Sequence, residues 1–182
     1  MKKFIMIFVA LLSVSGAFAF QAGDVLMGGD LEVATFRAWD WERYILLGII
    51  PQFSGFVTDH ITADLTLNCM AIGCNNRYVA TATIGAGSRY FLKKMYAGID
   101  FHYEMGGDRN YYSSRGFEYG GMLLTPKVGT LAAVVRDVYL DLQVYYMLGI
   151  GDIKVTGQED RVNNLNMFGI RVGFVVHPNS KQ

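Results

Sequence analysis

The sequence predicts an all-β chain that closes into an eight-stranded antiparallel up-and-down β-barrel of transmembrane type, and three observations carry that prediction. Apolar and polar residues alternate with a period of two through eight successive segments. Each segment runs for about ten to fourteen residues, enough for a tilted strand to cross a bilayer and longer than the roughly five or six of an average soluble strand. The chain is 52% hydrophobic and 14% aromatic, yet past its first residues it has no apolar run long enough for a membrane helix.

Those first residues read as an export signal. Met1, Lys2 and Lys3 precede an apolar run from Phe4 to Leu12, and small residues follow up to Ala17-Phe18-Ala19, which has the form of a cleavage site. Such a run is shorter than the roughly 20 residues a spanning helix needs. Residues 1–19 are therefore expected to be a cleaved signal peptide, and 20–182 one barrel domain with no Pro-, Gly- or Ser-rich linker inside it.

The first strand is expected from Val25 to Phe36, with Val25, Met27, Leu31 and Val33 on one parity and Gly28, Asp30 and Glu32 on the other. A second, Tyr44 to Val57, puts Ile45, Leu47, Ile49 and Phe53 opposite Gln52 and Ser54. After the turn at Thr58-Asp59-His60 comes the cleanest alternation: Ile61, Ala63, Leu65 and Leu67 against Thr62, Asp64, Thr66 and Asn68. The fourth strand, Tyr78 to Leu92, sets Ala82, Ile84, Ala86 and Tyr90 against Thr81, Thr83 and Arg89. Lys93 and Lys94 turn into the fifth, Tyr96 to Met105, where Asp100, His102 and Glu104 share a parity that a helix would scatter around its circumference.

Residues 106–115 read as a polar loop. The sixth strand, Gly116 to Gly129, is expected to place Phe117, Tyr119 and Leu123 opposite Glu118, with Pro126 weakening its end because proline has no N–H for the ladder. A turn at Arg136-Asp137 opens the seventh, Val138 to Leu148, with Asp141, Gln143 and Tyr145 on its polar side. A last loop over residues 151–164 precedes the eighth, Leu165 to Val176, in which Gly169, Arg171 and Gly173 oppose Phe168, Ile170, Val172 and Phe174. The connections alternate short and long, the pattern of short periplasmic turns and longer external loops.

Collecting the polar parity gives a predicted interior of Asp30, Glu32, Asp64, Arg89, Asp100, His102, Glu104, Glu118, Asp141 and Arg171. A barrel of eight strands has an interior just wide enough to be filled by side chains, so these groups must pair with one another, with Arg89 and Arg171 as counter-ions. Trp39, Trp41, Tyr44, Tyr78, Tyr90, Tyr96, Tyr103, Tyr111 and Tyr112 stand toward strand ends, where an aromatic girdle would lie. Reversing the faces gives the alternative, a soluble lipocalin-like periplasmic barrel with an apolar interior.

A formal net charge of +0 leaves no electrostatic footprint for nucleic acid. His102 between Asp100 and Glu104 could serve acid–base or metal chemistry, but a structural polar network is the stronger reading. Cys69 and Cys74 form a candidate disulfide only if the chain folds back between them, because a straight strand holds them too far apart. Arg109, Tyr111, Tyr112 and Arg115 mix charge with aromatics in the 106–115 loop, the chemistry of a recognition surface.

On these patterns, together with Gly55-Phe56-Val57-Thr58-Asp59-His60 at a turn, Gly87-Ser88-Arg89-Tyr90-Phe91 and Val138-Tyr139-Leu140-Asp141-Leu142, the chain resembles the small outer-membrane β-barrels of the OmpA/OmpX type from Gly23 to Phe174. The resemblance implies a cell outer membrane location, contact with its lipid and lipopolysaccharide, and insertion by the barrel-assembly machinery. Gly169, Val172 and Phe174 would be the assembly signal, although the chain continues past that aromatic through Gln182. It implies a structural or surface-interaction role through external loops, with an extracellular partner met there, and no cofactor. A narrow pore is the alternative. A lipid-modifying enzyme is less favoured, because no Ser and His stand close together near a strand end, and the chain is expected not to be an enzyme.

Overall fold

The computed structural model describes residues 20–37, 43–74, 77–108, 117–155, 162–163 and 167–178. The strands are β1 (Val25–Arg37), β2 (Arg43–Phe56), β3 (Ile61–Cys74), β4 (Arg77–Leu92), β5 (Met95–Asp108), β6 (Phe117–Val135), β7 (Val138–Val155), β8 (Val162–Asn163) and β9 (Met167–Val176). All pairings are antiparallel. From β1 to β7 each strand pairs with its neighbour in sequence. β9 then joins β7 on one side, through Val138↔Val176 to Met147↔Met167, and β1 on the other, through Met27↔Val176 to Thr35↔Phe168. Eight long strands thus form a closed barrel with no free edge, and β8 is a two-residue addition paired to Asp152 and Ile153 of β7.

Closure matters because hydrocarbon offers backbone groups no hydrogen-bond partners. The outer face fits that solvent: Leu31 is 64% exposed and Ile49 61%, and Phe53, Leu65, Phe101, Phe168 and Phe174 also face outward. Two prolines interrupt this lattice where their missing N–H is needed. The β2–β3 ladder passes from Ile49↔Cys69 to Gln52↔Thr66 across Pro51, and β6–β7 from Leu124↔Leu148 to Lys127↔Tyr145 across Pro126. Neither proline ends its strand.

Bends at 57–60 and two-residue turns at Lys93-Lys94 and Arg136-Asp137 link strands at one end, which also holds the described termini. Lys93 and Asp137 take φ of 59° and 62°, the left-handed geometry that tight hairpins need. At the opposite, long-loop end the strands run further than the sequence suggests. β3 continues to Cys74, β5 to Asp108 and β7 to Val155, so residues expected in loops extend the sheet, where Gly73, Gly106, Gly107, Gly149 and Gly151 had read as breaks in the strand pattern.

β6 departs most from expectation. It runs on to Val135, and its inward series is Leu123, Thr125, Lys127 and Leu131, with Met122 and Val128 outward. Leu123 therefore faces the lumen instead of the outer surface. Glu118 pairs with Gly107, on the parity of outward-facing Met122, so its position lies outside the inward series. The parity expected for β6 was inverted because the lumen beside Leu123 is apolar, so polarity does not report facing there.

The disulfide is also corrected. β3 runs unbroken through Cys69 and Cys74, and five residues of strand at about 3.3 Å each exceed any disulfide reach. Cys69 is a free, exposed thiol on the outer face.

Candidate functional site

The lumen is the candidate site, and it is layered. Its middle holds the charges. Arg89 of β4 points inward beneath the short-turn end, fully buried, with its Nε 2.9 Å from Asp64 Oδ2 and Nη1 3.4 Å from Asp141 Oδ2. Its Nη2 donates to Ser54 Oγ at 2.6 Å. The other Asp141 oxygen accepts the Tyr96 hydroxyl at 2.6 Å. Lys127 bridges the next carboxylates, its Nζ 2.7 Å from Asp100 Oδ2 and 3.7 Å from Asp64 Oδ2. His102 completes this side, with Nε2 3.7 Å from Asp100 Oδ2 and Nδ1 3.5 Å from Thr66 Oγ1.

A second group lies toward the long-loop end. Glu32 Oε1 stands 3.3 Å from both Nε and Nη2 of Arg171, and its Oε2 accepts Asn68 Nδ2 at 2.9 Å. The Arg171 guanidinium lies 4.2 Å from the Tyr145 ring centre, a cation–π contact strengthened by desolvation. Gln143 Nε2 donates to Asp30 Oδ2 at 2.5 Å. Glu104 is buried too.

The register explains how these long side chains fit. Tyr145 lies across Gly169 on β9, where a Cβ would overlap the ring, and the His102 ring covers Gly85 of β4 in the same way. Gly169, named above for an assembly signal, thus has a packing role in the lumen. Val172 and Phe174 face outward.

Apolar layers close both sides of the charged middle. Toward the long-loop end are Ala34, Leu46, Met70, Leu123, Tyr145, Met147 and Met167. At the short-turn end are Phe20, Leu26, Phe56, Phe91, Tyr96, Leu131, Tyr139 and Val175. Tyr96, expected in an outer girdle, belongs to this interior cluster, because it shares parity with Asp100. Tyr90 and Tyr103 do face outward.

Of the predicted interior, Asp30, Glu32, Asp64, Arg89, Asp100, His102, Glu104, Asp141 and Arg171 are buried together in the lumen. Sequence reasoning missed Lys127, whose signal was its shared parity with Thr125, and the inward place of Tyr96, whereas Tyr145 does stand on the polar side expected of it. The side chains of Arg109, Tyr111, Tyr112 and Arg115 lie outside the described residues, as do those of Trp39, Trp41, Tyr44 and Tyr78 and the whole of residues 1–19, expected to be a signal peptide. Asp100 is paired with Lys127, and His102 stands beside Asp100 and Thr66, so the acids and histidine belong to one buried network.

No family model and no curated protein matches the chain. Solved structures do. Neisserial surface protein A superposes with a TM-score of 0.67 at 15% identity, over 84% of this chain and 96% of that one. The outer membrane protein OprG from Pseudomonas aeruginosa gives 0.58 at 14%, over 87% and 97%. AlkL, determined in lipid bilayers, gives 0.57 at 12%, over 92% and 97%. The chain has the fold of the small eight-stranded outer-membrane β-barrels.

Proposed function

We propose that this protein resides in the outer membrane as a closed scaffold that presents its external loops to partners. The observation that carries the reading is the lumen, where a lattice of paired charges lies between two apolar layers, an arrangement that favours a filled interior over a conducting one. Its outer belt of Leu31, Ile49, Phe53, Leu65 and Phe101 suits lipid, where a soluble lipocalin-like barrel would present polar residues. Insertion would use the assembly machinery, read through Gly169, Val172 and Phe174, after removal of residues 1–19. The lipid and lipopolysaccharide of the membrane would cover the belt.

The working surface would lie at the long-loop end. There β6 and β7 rise past the last β7–β9 pair, Met147↔Met167, and β8 adds a third strand to the projection. Arg109, Tyr111, Tyr112 and Arg115 follow β5 at this end and would meet an extracellular partner. Two measurements test the proposal together. The protein should fractionate with the outer membrane and show heat-modifiable gel mobility, and the refolded barrel should pass no steady current across a planar bilayer. Recovery in the soluble periplasm refutes the membrane reading, and reproducible unit conductance refutes the closed scaffold in favour of a narrow pore. Unchanged acyl chains after incubation with lipopolysaccharide would dismiss a lipid-modifying enzyme.

A further inference from the structure

At the short-turn end the chain does something that strand periodicity does not require. The residues ahead of β1 turn back toward the barrel. Gly23 takes φ 93°, left-handed geometry that suits glycine, and its N–H donates to the Phe56 carbonyl at 2.8 Å. The Gln21 N–H donates to Asp24 Oδ2 at 2.8 Å, and the Ala22 N–H to Asp59 Oδ1 at 2.9 Å. Asp24 Oδ2 stands 3.3 Å from His177 Nε2. This short strap is thereby fastened to β2, to the bend at 57–60 and to the exit from β9.

The strap delivers Phe20 into the mouth, where it is 6% exposed. Its ring stacks on Phe56 at 4.7 Å and 19°. It meets Phe91 at 5.7 Å, Tyr139 at 6.0 Å and His177 at 5.5 Å, all edge-on, the arrangements that aromatic quadrupoles favour. These partners belong to β2, β4, β7 and the end of β9, spread around the circumference. A ring that touches all of them sits near the barrel axis. Behind it Phe91 and Tyr96 follow, and the Arg89 guanidinium lies 5.4 Å and 5.0 Å from their centres.

We propose that processing after Ala19 leaves Phe20 as the first residue of the exported chain, and that its ring is a built-in plug closing the periplasmic mouth against water. The proposal rests on the outer-membrane reading above for its orientation. The plug separates the Arg89 lattice from the periplasm, so the first residue of the processed chain completes the seal.

The test uses protein exported and purified from membranes, with Cys69 and Cys74 replaced by Ser and a reporter thiol introduced by Leu131→Cys. Leu131 is fully buried in the same apolar cluster as Phe20. A charged, water-soluble thiol reagent should label this reporter slowly, and Phe20→Ala should raise the rate at least about tenfold, whereas Phe20→Trp should keep it protected. Gly23→Ala meets no atom within 4 Å but opposes the turn, so it should also raise the rate by loosening the strap, with no lumen residue substituted. Equal labelling with and without the ring, in barrels whose gel mobility shows them folded, overturns the plug. If Phe20→Ala does not fold, unchanged labelling in Gly23→Ala overturns it. An intact mass for a chain starting elsewhere overturns the processing step. A soluble fractionation would sink the membrane reading alone, because the labelling comparison still reads the plug in a soluble barrel.

Discussion

Replacing Arg89 by Met removes the cation at the centre of the lumen while keeping a long apolar stem. The expected loss follows from what each partner retains. Asp64 keeps Lys127 at 3.7 Å, so part of its charge stays compensated. Asp141 keeps only the Tyr96 hydroxyl, at 2.6 Å, among the partners described above. Arg89 and its partners are fully buried, so solvent does not screen the orphaned charge, and removing one member of such a pair costs about 3–5 kcal/mol. The two cation–π contacts with Phe91 and Tyr96 disappear as well. Guanidinium unfolding of the barrel in phospholipid vesicles, followed by circular dichroism and gel mobility, would measure the loss. Pairing the change with Asp141→Asn should recover about 1–3 kcal/mol, the coupling expected between directly interacting groups. A single variant within about 1 kcal/mol of the parent, or a double variant with no coupling, would refute the claim that this ion lattice holds the interior together.

Three further outcomes are expected. Gly85→Ala drives a methyl group into the His102 ring and should cost about 1–3 kcal/mol in the same unfolding assay, most of it relieved by adding His102→Ala. Leu65 faces outward in one row with Phe53, Ala86 and Phe101, so Leu65→Arg should destabilise the membrane-inserted barrel by about 2–4 kcal/mol; a cost near zero would favour a water-exposed outer face. Thiol titration of the denatured, unreduced protein should count two free cysteines per chain, and a count of zero contradicts the unbroken course of β3.

Where one face of a strand is the apolar outer belt and the other meets the charged lumen, alternation reports facing directly, and so β1, β2, β3, β4, β5, β7 and β9 were legible. Asp30, Glu32, Asp64, Asp100 and Arg171 could be placed inside from parity alone. β6 was not legible, because its inward side passes from Leu123 through Thr125 and Lys127 to Leu131. Two of those four inward residues are as apolar as the outer face. Lys127 was missed for the same reason: it shares the parity of Leu123, which was read as the apolar outer side, and Pro126 weakens the pattern beside it. Tyr96 shows a second limit: near a strand end an aromatic ring suits both a membrane girdle and a lumen cap, and what separates the two is its shared parity with Asp100 together with its hydrogen bond to Asp141. Pairing within the lumen was beyond reach as well, since Arg89 on β4 meets Asp141 on β7, across the barrel.

The apolar layers and the charged belt depend on each other. An ion pair gains from a low-dielectric interior only when water is kept from both partners, and the same exclusion makes any unpaired charge costly. In an eight-stranded barrel open at both ends, water entering along the axis would weaken the attraction of Arg89 for Asp64 and Asp141. Methionines and leucines at one end and stacked aromatics at the other exclude it. The charges reciprocate by fixing which side chain lies over which strand, since Lys127 must reach Asp100 and Arg171 must reach Glu32 for the lattice to be complete. A slip of one residue in β1, β3, β4, β5, β6, β7 or β9 would turn its inward charge to the outer face and break the lattice at once. The interior therefore specifies register from within while the apolar belt specifies it from outside.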